Sequence, residues 1–367
     1  MGLRLVALML VCHLGLTAIA HGQTLRKVQI AENGQDFALA GTDQSFFVWG
    51  VNYDHDGDGR LIEDYWDAQW STVEEDFAEI KSLGANVVRV HLQLGKFMTT
   101  ADQPNEANLR KLVQLAELAE KTGLYLNLTG LGCYHKADIP AWYDGLPLEQ
   151  RWQVQSNFWK AIAHACRDQP AVFCYDLMNE PVVSGGGPSD EWLVGEALGG
   201  KYFVQRIARA GDLNGRSNQE IAAAWVQKLT EAIRSEDSQT LITIGVIPWA
   251  HVWPNAKPLF YSEPVSKHLD FASVHFYPVA GEVDKAITAL KIYDIGKPLV
   301  IEEFFPLKCS LEEAKDFIDK ARPVSDGLTS FYWGKTIEEN QSSGEISGAI
   351  VAKWLETYRE LTSGQTP

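Results

Sequence analysis

Short runs of β-branched and aromatic residues alternate along this chain with stretches whose apolar positions recur every three or four residues. Eight runs read as strands, at 46–52, 86–93, 124–129, 172–179, 241–245, 271–275, 299–303 and 328–333. Helical periodicity covers 73–83, 106–121, 149–166, 218–235, 283–293, 311–321 and 348–361. Strands that alternate with helices predict a parallel sheet. The runs Val87-Val88-Arg89-Val90 and Pro298-Leu299-Val300-Ile301 are apolar on both faces, as strands are between a barrel interior and a helical jacket. The expected fold is therefore α/β, a single (β/α)8 TIM barrel. A short β-hairpin precedes it, with 28–31 and 37–39 flanking the turn residues Asn33-Gly34. The longest irregular stretch, 181–215, follows the fourth strand and reads as a cleft wall or as a decorative insertion.

Before the hairpin, Arg4, the apolar run 5–16 and Ala18-Ile19-Ala20 form an export leader with cleavage expected after Ala20. The mature protein is expected to be secreted or periplasmic, with the barrel domain spanning 25–363. No Pro/Gly/Ser-rich linker divides it. With 46% hydrophobic and 22% charged residues the chain can bury a large core, and its net charge of -16 makes nucleic acid and anionic membranes poor partners. A monomer is the default. Cys133, Cys166, Cys174 and Cys309 remain after the leader; they allow three pairings, Cys166–Cys174 being the closest in sequence, or they stay as free buried thiols. No CxxC pair or HExxH helix suggests zinc. Asp54, Asp56 and Asp58 with Gly59 imitate half of a calcium loop, but Tyr65 stands where the bidentate glutamate belongs, and an acidic turn serves equally. No cofactor or metal is expected.

In such a barrel the chemistry projects from the carboxyl ends of the strands. There the chain places Arg89 and His91 on the second strand, Asn179 and Glu180 on the fourth, and His275 and Tyr277 on the sixth. Glu302 and Glu303 end the seventh, and Trp333 the eighth. Carboxylates on strands four and seven face one another across the mouth. Glycosidic hydrolysis needs such a pair, one protonated for the leaving oxygen and one ionised at the anomeric carbon. Arg89, His275 and Tyr277 are the donors expected around the seventh-strand glutamate, keeping it ionised, and Asn179 is placed to bond the sugar 2-hydroxyl. Strand parity leaves Glu302 and Glu303 undecided.

The motifs Asp176 to Pro181 (DLMNEP), Ser273 to Pro278 (SVHFYP), Leu299 to Phe304 (LVIEEF) and Ser330 to Gly334 (SFYWG), with Phe46 to Tyr53 (FFVWGVNY) and Asn86 to Leu92 (NVVRVHL), resemble glycoside hydrolase family 5 in order and over nearly the whole chain. That resemblance implies a retaining hydrolase of β-linked glucan or mannan. Glu180 would be acid/base and Glu303 nucleophile, supported by Arg89, Asn179, His275, Tyr277 and Trp333, with Glu302 an ion-pair partner behind the barrel. The family's third-strand histidine has no direct match; His135, later on the loop, is the candidate. Trp142, Trp192, Trp249, Trp253 and Trp333 are candidate sugar platforms or core residues. His251, beside Trp249, belongs either to the site or to the surface. A carbohydrate-binding protein on the same scaffold, or a transglycosylase using the same residues, are the rival readings.

Overall fold

The computed structural model describes residues 25–53, 56, 59–183, 191–194, 200–331 and 333–363; the expected leader lies outside them, as do Asp54, His55, Gly57 and Asp58. The chain opens with β1 (Val28–Ile30) and β2 (Phe37–Leu39), then β3 (Val48–Asn52), β4 (Val87–Gln93), β5 (Tyr125–Gly132) and β6 (Val172–Asp176). The segment after β6 carries β7 (Pro181–Val183), β8 (Leu193–Val194) and β9 (Val204–Ala208). β10 (Leu241–Thr243), β11 (Gly245–Val246), β12 (Ala272–His275), β13 (Leu299–Phe304) and β14 (Gly327–Ser330) complete the set.

Nine segments form one parallel sheet in the order β10-β6-β5-β4-β3-β14-β13-β12-β11. β10 and β11 stand at opposite ends of that row, yet Ile244 alone separates them in sequence. The fifth barrel strand thus pairs backwards with β6 through one half and forwards with β12 through the other, which closes the barrel. Every residue of β3, β4, β5, β6 and β13 is buried, as expected of strands covered on both faces. The jacket helices follow their sequence signals. Over Glu106–Thr122, Asn105 caps the first turn by accepting from Ala107 N and Asn108 N, Leu109, Leu112, Leu115, Ala116 and Ala119 face inward, and Gly123 ends the helix at φ 73°. Between the fifth and sixth strands, where no helical period was legible, two one-turn helices, Trp249–Val252 and Glu263–Ser266, take the place of a full one.

The amino-terminal end of the barrel is closed by the hairpin. Phe37 sits edge-on to Phe173 and Phe271, with ring centroids 5.3 and 5.1 Å apart, and Val28, Val48, Val87 and Val300 complete an apolar floor. Cys174 belongs to this floor, whereas Cys166 packs in the main core under the helices. Burial in separate clusters keeps the two apart, and all four cysteines are free thiols. The expected loop after the fourth strand carries a small sheet: β9 pairs in parallel with β7 and antiparallel with β8. That small sheet is bonded to the barrel through Gln205 Nε2 to Leu131 O (3.0 Å), Trp152 Nε1 to Ile207 O (2.7 Å) and Tyr202 N to Tyr134 O (2.8 Å). Among the described residues no helix is long and apolar enough to cross a membrane.

Asp326 lies at this floor, accepting from Leu299 N at 2.9 Å. Burial, together with the nearby Asp36, pushes its carboxyl up to about 7. An acid whose folded pKa is raised holds its proton more tightly when folded. Its stabilising contribution is therefore complete below the unfolded value of about 4 and is lost as pH rises through 7. Asp326→Asn keeps the acceptor and removes the charge. In urea unfolding across pH 4 to 8, the variant is expected to gain on the parent steadily as pH rises; a constant difference would exclude this account.

Candidate active site

Alternation along β4 turns Arg89, His91 and Gln93 to one side, and all three are buried. The guanidinium of Arg89 is fully enclosed and is the hub of the barrel mouth. Its Nη1 donates to Asn52 Oδ1 (2.9 Å) and Glu303 Oε1 (2.7 Å), and its Nη2 to Asp176 Oδ2 (2.9 Å) and Asn179 Oδ1 (2.9 Å). Glu302 Oε1 lies 3.7 Å from its Nε. Burial opposes the charge, but Glu302, Asp176 and Glu303 hold the guanidinium firmly protonated.

Above this hub the two expected carboxylates meet. Oxygens of Glu180 and Glu303 and a ring nitrogen of His275 all lie within 4.8 Å of one another. His275 Nδ1 is 2.9 Å from Glu180 Oε1 and 3.4 Å from Glu303 Oε2, and Tyr277 Oη donates to Glu303 Oε2 at 2.7 Å. Glu180 adopts φ 46°, a left-handed conformation uncommon outside glycine, and its N–H donates to Gly245 O at 3.0 Å. Burial works against a charged His275, yet Glu303, Glu180 and Glu302 push its imidazole up to about 10. Burial, with Glu180 adding to it, raises the Glu303 carboxyl above the ordinary range even though His275, Arg89 and Tyr277 pull it down. The donors thus limit the rise rather than depress the pKa outright, as the sequence had suggested. His275, protonated at neutral pH, sets that proton in competition with any cation the three side chains could ligate.

Glu302 is an ion-pair partner, but inside the barrel rather than behind it. It accepts from Asn127 Nδ2, and its second oxygen is 3.7 Å from His275 Nε2. The cause is a register shift in β13 between Ile301 and Phe304, which breaks alternation and lets two consecutive glutamates face inward. Burial tends to raise Glu302, but Arg89, His275 and Asn127 bring it below the usual range. Asp176 was not singled out from sequence, although it completes this layer. It accepts from Thr129 Oγ1 (2.8 Å) and Gly245 N (2.9 Å), and burial, with Glu302, moves it to about 6. The alternation Leu126-Asn127-Leu128-Thr129 in β5 was the available sign of a polar inner face. A Cβ at Gly245 would meet Glu302 Oε2 at 2.4 Å and His275 Nε2 at 2.5 Å, so the absent side chain is what admits both groups.

Other expected residues fall nearby or elsewhere. Asn179 keeps one amide hydrogen on Phe203 O (2.9 Å), leaving the other for a ligand. A cavity of about 350 Å³ opens beside Glu180 and Glu303, walled by Phe203, Tyr277, Phe305 and Phe331. His91 bonds through Nδ1 to Tyr134 Oη, because β5 runs on to Gly132 and brings Tyr134 rather than His135 to that point. His135 instead lines a separate cavity of about 180 Å³ with Gln93, Lys96 and Asp138. Trp333 is buried edge-on to Tyr53 at 5.4 Å, with no hydrogen-bond partner for its indole N–H among the described residues. Trp192 is likewise buried, donating to Asp144 Oδ1, while Trp249 and Trp253 stand exposed beyond β11. His251 packs on Phe276 at 5.5 Å. Asp56, from the acidic turn, is bound to Arg60 through its backbone N–H and its guanidinium.

Comparison with known proteins places these features in context. The model of the cellulase family, glycosyl hydrolase family 5, matches residues 30–333. Mannan endo-1,4-β-mannosidase A of Podospora anserina is 21% identical over 267 residues, which are 65% of this chain and 62% of that protein. Among solved structures, the exo-β-1,4-mannosidase of Opitutaceae bacterium strain TAV5 matches with a TM-score of 0.67 at 17% identity, over 92% of this chain and 62% of that one. The β-mannanase of the blue mussel Mytilus edulis matches at 0.62 and 16%, over 93% and 97%. The catalytic domain of a Thermobifida fusca endoglucanase in complex with cellotetraose matches at 0.58 and 17%, over 91% and 97%. These likenesses show the barrel fold. The chain spans about 62% of the length of the first two relatives.

Removing the hub leaves buried carboxylates without a counter-charge. Arg89→Met is expected to cost about 3–5 kcal/mol in urea unfolding, with Arg89→Lys in between. Stability within 1 kcal/mol of the parent would show that Arg89 is not the central tie.

Proposed function

The chain belongs to glycosyl hydrolase family 5, and we propose that its barrel mouth cleaves β-linked mannan or glucan by double displacement. Glu180 serves as acid/base and Glu303 as nucleophile. The observation that carries the reading is the gathering of Glu180, His275 and Glu303 within 4.8 Å. Retaining enzymes hold their two carboxyl groups about 5–5.5 Å apart, and inverting ones leave room for a water between them. The names of the relatives, mannosidases, a mannanase and an endoglucanase, support the substrate class.

The steps follow from the hydrogen bonds. Glu180 gives its proton to the glycosidic oxygen while a Glu303 oxygen attacks the anomeric carbon. Arg89 and Tyr277 hold Glu303 by one oxygen each and so aim the carboxylate before attack. The free amide hydrogen of Asn179 meets the sugar 2-hydroxyl, a contact that strengthens as the ring gains oxocarbenium character. In the second half Glu180, now a carboxylate, takes a proton from water, and the water oxygen displaces Glu303.

Glu180→Gln and Glu303→Gln are each expected to lower kcat on mannan or glucan oligosaccharides by about 10³-fold or more, with unfolding nearly unchanged. Proton NMR of the first product formed is expected to show the substrate's own anomeric configuration; the opposite anomer would overturn the mechanism. Tyr277→Phe removes a donor that draws the Glu303 carboxyl down. The acid limb of kcat/KM should therefore move to higher pH in that variant, and a limb unmoved or shifted to lower pH would remove Glu303 as the group it reports.

A further inference from the structure

The large apolar side chains most open to solvent among the described residues are Trp249, Val252, Trp253, Leu307, Ile346 and Ile350, at 40–82% exposure. All six lie beyond the carboxyl ends of barrel strands: three after β11, one after β13, and two in the opening turns of the helix Ile346–Ser363, which follows β14. Scattered exposed apolar residues need no explanation, but a set confined to the catalytic face does.

Three of them border a groove of about 620 Å³ or sit in its rim helix. Trp249 and Trp253 stack there with ring centroids 5.2 Å apart. The groove starts one residue past Glu180. That residue's N–H is bonded to Gly245 O, and the next residue on each strand, Pro181 and Val246, forms the inner end. Valines, Ile247 and Leu259 continue the wall, which also carries Asn218 and Arg206, the latter donating to Glu191 O. Under the retaining mechanism proposed above, on which this step rests, the acid protonates the departing oxygen, so the leaving group lies on the Glu180 side. Among the described residues this wall offers few polar side chains, so a sugar buried here would leave hydroxyls without partners, whereas a hydrocarbon would gain from burial.

We infer that the site also accepts an apolar leaving group: besides glycan chains it cleaves β-glycosides of alkyl or aryl alcohols, the hydrocarbon lying in the groove against Trp249 and Trp253. Glu180 transfers its proton to the glycosidic oxygen as the bond to the anomeric carbon breaks, Glu303 takes that carbon, and the alcohol departs along the groove. Water then releases the sugar and restores the proton to Glu180, so no other reactant is needed.

The test is kcat/KM for methyl, butyl, hexyl and octyl β-glucosides and β-mannosides below their micellar concentrations. The expected result is a rise of roughly three- to fourfold per methylene, with a shallower slope in Trp253→Ala and in Val252→Ser. A slope does not depend on the fraction of active protein, so partial misfolding of a variant cannot imitate the effect. A flat series, or slopes unchanged in both variants, would overturn the inference. If Glu180→Gln cleaved the octyl glycoside at the parent rate, the retaining reading itself would fall; a flat series with an inactive Glu180→Gln would remove the leaving-group assignment alone.

Discussion

A single guanidinium without access to water organises the mouth of this barrel. Arg89 reaches from β4 to Asn52 of β3, Asp176 of β6 and Glu303 of β13, and to Asn179 just past β6, so strands from opposite sides of the barrel share one cation. The planar fork of arginine suits this task, since it can donate to several acceptors at fixed angles while keeping its charge. Fold and site are thereby the same interaction: whatever holds β6 and β13 in register also fixes where Glu180 and Glu303 stand.

The charges in this layer do not cancel. Asp176, Glu302 and Glu303 are three buried acids facing two cations, Arg89 and His275. The excess appears as a reluctance to ionise, with Asp176 and Glu303 raised while Glu302, which faces both cations and also accepts from Asn127, is lowered. In the proposed mechanism, a bond from Glu303 to carbon relieves this crowding of negative charge. The groups that make the layer costly to bury are the ones that surround the proposed nucleophile.

Most of the barrel was legible because burial on both strand faces writes continuous apolar runs that no surface element would carry. The strand-end rule then found Glu180, Glu303, Arg89, His275 and Tyr277, which the structure brings together. The failures have local causes. Parity could not separate Glu302 from Glu303 because the backbone abandons parity there. His135 was the candidate for the family's third-strand histidine, but β5 runs three residues past the expected Thr129, and Tyr134 is the side chain that reaches His91. Asp176 was passed over inside a motif whose visible ending, Asn179-Glu180, drew the assignment, although the polar alternation of β5 shows an inner face in need of partners.

The failures and the site also share a position. Near the mouth the pairing breaks between His91 and Gln93, at Val274/His275, and between Ile301 and Phe304, while Ile244 interrupts the fifth strand next to Gly245; one further break, between β5 and β6 at Leu126/Asn127, lies at the other end. The floor is closed by aromatic edges, and the break between β5 and β6 leaves its Phe173 between the paired Val172 and Cys174. Strict pleating sends neighbouring side chains to opposite faces and cannot crowd Glu302, Glu303 and His275 around one guanidinium. Irregular pairing costs backbone hydrogen bonds, and the ion pairs and side-chain bonds of the mouth replace them. The proposed chemistry of this barrel therefore sits where most of the irregular pairing gathers, and the apolar floor is what makes that concession stable.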